Sequence, residues 1–74
     1  MRKVFLDVLK EKYKSEYNEH RLAVEILMEK CVGISDHTNF IDEADKHISA
    51  MAHAVEKIDT VDELLTNNGE WENK

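Results

Sequence analysis

CVGISDHTN, residues 31–39, is the one stretch of this chain in which residues that favour turns interrupt two long helix-like patterns. Upstream of it, Leu6, Leu9, Tyr13, Tyr17, His20, Val24, Leu27 and Cys31 recur in alternating steps of three and four. Such steps keep side chains on one face of an α-helix. Gly33 then offers the left-handed backbone that commonly follows a helix end, with Ile34 expected to fold back on Met28. The spacing predicts a first helix over about residues 2–32.

Downstream, the stripe is Ile41, Ala44, Ile48, Met51, Val55, Ile58, Val61 and Leu65, again in threes and fours, a rhythm suited to coiled-coil-like packing. Thr38 or Asn39 can cap its start, and Asp42 and Glu43 suit the positive end of the helix dipole. Thr60 with Glu63 has the form of a capping box and could open a separate third helix. The stripe runs through it, however, and the chain has no proline to force a break. The second helix is therefore predicted over about residues 39–66. Residues 67–74 are expected to be a flexible tail with Trp71 as its one anchor.

A short connection between helices of similar length makes them antiparallel neighbours. The charges agree: residues 1–34 hold seven Lys/Arg against six Asp/Glu, and residues 35–74 hold three against ten. A hairpin lays that basic beginning beside the acidic end. The expected fold class is all-α, an antiparallel two-helix hairpin forming one domain over residues 1–66.

The apolar surface is wider than one seam. Phe5, Val8, Leu22, Ala23 and Ile26 flank the first stripe, and Phe40, Ala50, Ala52 and Ala54 flank the second. A single partner helix does not cover that width, so the hairpin is expected to self-associate into a helical bundle, most simply a two-fold dimer. The expected oligomer contacts are Leu6, Leu9, Leu22, Ile26, Phe40, Ile48, Met51, Val55 and Ile58.

Size points the same way. A chain of 74 residues buries a modest fraction of its surface, and the single Cys31 cannot form an internal disulfide, which leaves a partner copy or a metal as supplements. A net charge of −6 argues against general nucleic-acid binding. No apolar run is long enough to span a bilayer, and the opening MRKVFLDVLK places charges inside what would be the apolar core of a signal peptide. With a lone thiol suited to a reducing compartment, the expected location is cytoplasmic.

Glu16 with His20, and Glu43 with His47, are each spaced i, i+4, and antiparallel registry brings His20 within a turn of His47. A carboxylate and an imidazole from each helix form the donor set of metal sites in bundle cores, but those sites usually use Glu-x-x-His. The reading taken is that His20 is a polar residue that specifies register, and no metal or cofactor is assigned. His53 is expected on solvent or an oligomer seam. His37 beside Ser35 and Asp36 lacks the oriented base and oxyanion site of a triad, and Cys31 reads as a small apolar residue. No catalytic residue is assigned and the chain is not expected to be an enzyme. Lys10, Lys12, Lys14 and Arg21 read as a solvated face paired with carboxylates such as Glu11 and Glu25. Repeated by symmetry, Lys10, Lys14 and Arg21 with Tyr13 and Tyr17 would instead line an anion-binding cleft between hairpins.

VGISDHTNFIDEADKHI, followed by AVEKIDTVDELL, resembles small two-helix proteins of unknown role encoded by large tailed bacteriophages, over roughly residues 30–65. The resemblance implies an accessory protein of the infected host's cytoplasm and supplies no functional residues. Some phage proteins of this build block host enzymes by occupying a surface, and others form oligomers that trap cyclic-nucleotide immune signals. The expected function is a non-catalytic binding module, an inhibitor or adaptor that binds a host protein as a homo-oligomer. The alternative is an oligomeric sponge for a small anionic ligand such as a cyclic nucleotide.

Overall fold

The computed structural model describes residues 1–33 and 38–66, the side chain of Thr38 excepted. It is the expected all-α hairpin. Helix α1 spans Arg2–Lys30 and helix α2 spans Thr38–Thr66, 29 residues each. They run antiparallel: Arg2 at the start of α1 donates to the Leu64 carbonyl at the end of α2, 3.2 Å, and His20 meets His47 midway.

The ends follow backbone hydrogen bonding. The Phe5 N–H donates to the Met1 carbonyl at 2.9 Å, so α1 starts on a backbone bond, and Met1 provides no side-chain cap. α1 closes two residues earlier than its sequence suggests. The Cys31 N–H still reaches the Leu27 carbonyl at 3.0 Å, but Val32 turns back toward Glu29 at 3.5 Å. Gly33 then takes φ +83, the left-handed conformation expected of it. α2 begins at Thr38, which puts Asn39 inside the helix and removes it as a cap. No third helix starts at Thr60, because its hydroxyl donates to the Glu56 carbonyl within α2, 2.9 Å. Expectations that fall on Ile34, Ser35, Asp36, His37 and the tail with Trp71 lie outside the described residues.

The seam has the predicted face on α1: all eight stripe residues, Leu6 through Cys31, are half-buried. On α2 the expected stripe is corrected. Ile41, Ile48 and Val55 are 65%, 50% and 43% exposed, and the residue before each of them, Phe40, His47 and Ala54, turns toward α1 instead. Together with Ala44, Met51, Ile58, Val61 and Leu65 these make the α2 side of the seam. Because the other five stripe residues stay in the seam, its centre turns by less than half of the roughly 100° that separates neighbouring residues. The small Ala54 side chain occupies the tightest point of the seam, being only 2% exposed, and Val61 follows at 4%.

Those two residues are the whole buried core among the described residues. The two helices lie side by side, and among the described residues no third element lies above or below them. The hairpin is thus a single layer of helices, whereas stable domains enclose their core between two.

Candidate functional site

A single layer leaves two broad sides, and each carries apolar side chains. On α2, Ile41, Ile48 and Val55 recur every seventh residue, which is about two turns, so they form one exposed row. Val55 and Ile58 border a groove of ≈ 250 Å³ with Lys14, Tyr17 and Asn18 of α1. Ile41 borders a second, with Met28, Leu27 and Phe40. This row therefore belongs to the side on which α1 presents Lys14, Tyr17 and Met28.

The opposite side has its apolar residues on α1. Phe5 and Leu64 line a groove of ≈ 210 Å³ there with Leu6, Leu9 and Arg2. Val4 and Val8 are exposed near Phe5, and Leu22 and Ile26 stand eighteen residues further on, about five turns, so they point the same way, toward the outer edge of α1 away from α2. Of the expected oligomer contacts, Leu22, Ile26, Ile48 and Val55 are exposed and available. Leu6, Leu9, Phe40, Met51 and Ile58 are half-buried in the seam of their own hairpin.

The cations are matched by carboxylates. Lys10 Nζ reaches Asp62 Oδ1 across the seam at 2.6 Å, Lys14 lies 3.3 Å from Glu11, and Arg21 lies 3.4 Å from Glu25. The hydrogen bond to Asp62 is the main reason the Lys10 ammonium holds its proton above the ordinary lysine range, partly opposed by desolvation. Lys12 is raised likewise by Glu16, and its hydrogen bond holds the Glu16 carboxyl below the usual carboxylate range. Tyr13 and Tyr17 are half-buried, and the Tyr13 ring is faced by Lys57 at 5.2 Å and Lys12 at 5.6 Å. The residues expected to form an anion cleft are therefore close together, but their charge is largely satisfied within the hairpin.

Midway along the seam His20 Nδ1 and His47 Nδ1 stand 2.8 Å apart, with ring centroids at 5.1 Å and an interplanar angle of 42°. Registry brings the two rings together as the sequence suggests. Behind His47, Glu43 Oε2 lies 4.0 Å from Nε2. Glu16 stands one turn before His20 in the sequence, but its carboxylate is engaged by Lys12 at 2.7 Å. His53 is on an exposed face. Among the described residues no group of three or more His, Cys, Asp or Glu side chains is placed to hold a metal ion.

Asp62 and Lys57 were not singled out by their own sequence surroundings. The signal that finds them is registry: the alignment that sets His20 against His47 also brings Lys57 to Tyr13 and Asp62 to Lys10.

No family model, curated protein or solved structure matches this chain. Among the described residues, no helix is long and apolar enough to cross a membrane.

Proposed function

We propose that the chain is a non-catalytic binding module that works as a homo-oligomer of helical hairpins, with a second copy of itself as the first occupant of its apolar sides. The observation that carries this reading is the imbalance of burial. Among the described residues Ala54 and Val61 are buried, while eleven large apolar side chains are exposed on a single layer of two helices. A side as long as 29 helical residues, about 44 Å, and 21 Å across comes to roughly 900 Å², above the ~800 Å² per partner that a specific interface needs. A two-fold copy is self-complementary: it brings the same apolar row and lays a second basic α1 edge within reach of an acidic α2.

In the assembled state the remaining exposed face serves a larger protein. By the phage resemblance, that protein belongs to the host and the module inhibits or adapts it in the host cytoplasm. Light scattering and sedimentation on the full chain test the first step. A mass of two or more hairpins at micromolar concentration is expected, and a well-folded single copy at all concentrations removes the proposal. Retention of a specific host protein by the immobilised oligomer then tests the second.

The anion-sponge reading has one supporting observation, the groove in which Lys14 and Tyr17 meet Val55 and Ile58. It is the weaker of the two, because Glu11 already partners Lys14. A thermal-shift panel of cyclic nucleotides decides it: a raised melting temperature that Lys14→Ala abolishes supports the sponge, and no shift removes it.

A further inference from the structure

We infer that His20 and His47 form a two-histidine chelate for a borderline divalent transition cation, zinc or copper, which ties α1 to α2 within one hairpin. The inference starts from which nitrogens face each other. Both Nδ1 atoms point into the seam at 2.8 Å, a separation at which one must donate and the other accept. The outer nitrogen of His47 has Glu43 behind it at 4.0 Å. His20 has Glu16 one helical turn before it in the sequence, but that carboxylate is bonded to Lys12 at 2.7 Å, so the carboxylate behind an outer ring nitrogen is Glu43.

A carboxylate near Nε2 favours the tautomer with its proton on that nitrogen, which leaves the Nδ1 lone pair free. This is the orienting arrangement that metal-bound imidazoles generally have. At 2.8 Å the His47 Nδ1 lone pair then accepts the Nδ1–H of His20. A cation that takes the place of this hydrogen bond accepts an electron pair from each Nδ1, and the displaced proton moves through solvent to the outer nitrogen of His20.

The distances suit the exchange. Zinc–nitrogen bonds of about 2.0–2.1 Å at a tetrahedral angle put the two donors roughly 3.3 Å apart. The rings then need to part by only about half an ångström, which a small side-chain rotation supplies. Two imidazoles select zinc, copper, nickel or cobalt over magnesium and calcium, which prefer oxygen. His47 is 26% exposed, so water reaches the remaining coordination positions. The site is open and exchangeable, and it differs in kind from a closed structural zinc site. Each ligand comes from a different helix, and binding therefore favours the folded hairpin over the open chain.

The test uses the full chain, stripped of metal with a chelator, with zinc chloride as the probe. Thermal unfolding is followed with and without about 100 μM zinc, and imidazole nitrogens are followed by NMR on the unaltered protein. The expected result is a melting temperature raised by about 5–10 °C and restored by chelator. One zinc binds per hairpin, and the Nδ1 resonances of both rings shift. The rise should disappear in His20→Gln and in His47→Gln and persist in His53→Gln. No rise, a rise that survives His47→Gln, unshifted Nδ1 resonances in the unaltered chain, or half a zinc per chain with doubled mass would each overturn the chelate. The mass measurement keeps this separate from self-association. A single copy that binds zinc defeats the oligomer and leaves the chelate standing, and an oligomer indifferent to zinc does the reverse.

Discussion

Lys10 of α1 reaches across the hairpin to Asp62 of α2, Nζ to Oδ1 at 2.6 Å, whereas Lys3–Asp7, Lys12–Glu16 and Arg21–Glu25 each stay within α1. The contact raises the Lys10 ammonium above its ordinary value, chiefly through the hydrogen bond to Asp62. A raised lysine stabilises the fold fully below its unfolded value and loses that contribution as pH climbs through the folded one. The hairpin should therefore lose stability in an alkaline limb above about pH 10. Lys10→Met should flatten that limb, with a change of no more than a few degrees in melting temperature, because the pair is partly exposed. Identical alkaline slopes in the two proteins would mean that the contact does not persist in solution.

Ala54 marks the tightest point of the seam. Ala54→Leu forces extra methylenes against α1 and should cost about 1–3 kcal/mol. Ala52 is exposed two residues earlier, and Ala52→Leu should stay within about 0.5 kcal/mol. Denaturant unfolding of the two variants reads the rotation of α2 directly. If Ala52→Leu were the damaging one, the seam would be turned the other way.

Gly33 has φ +83, and a methyl group added there would meet nothing within 4 Å. Any penalty for Gly33→Ala is thus a backbone penalty, about 1–2 kcal/mol. Gly33→Asn should lose less, since Asn tolerates the left-handed region better. Equal stability of the glycine and alanine proteins in urea melts would show that the helix end does not depend on this conformation.

Ile48 and Val55 lie in the exposed row of α2 and contribute little to their own hairpin. Changing both to Glu places charge in the proposed contact between copies. The mass from light scattering should fall to one hairpin, while far-UV circular dichroism at high protein concentration keeps its helical shape. A variant that still assembles would move the interface to the opposite side, around Phe5, Val8 and Ile26.

The two helices, the absence of a break at Thr60 and the turn at Gly33 were legible in the sequence. Each depends on local chemistry: a sustained helical period, no proline, and one glycine where the backbone reverses. The face of α1 was legible too, because its three-and-four stripe runs unbroken from Leu6 to Cys31. The rotation of α2 was not. Phe40 and Ile41, His47 and Ile48, and Ala54 and Val55 are neighbours on a broad apolar arc, and periodicity alone does not say which of each pair meets α1. Hydropathy favours the branched aliphatic member, Ile41, Ile48 and Val55. Contact between helices instead selected Ala54 for closeness and His47 for its partner across the seam, and these are properties of the pair of helices. The histidine meeting was foreseeable from registry, but the nitrogens that face each other were not, since ring orientation follows from the rotation of both helices.

The thinness of the rod gives it an unusual relation to water. Every backbone amide of α1 and α2 sits within one side chain of solvent, so deuterium should enter by fraying from the helix ends toward the middle. Amides that resist exchange would then trace the footprint of whatever lies against the hairpin, and its want of depth becomes a built-in reporter of touch.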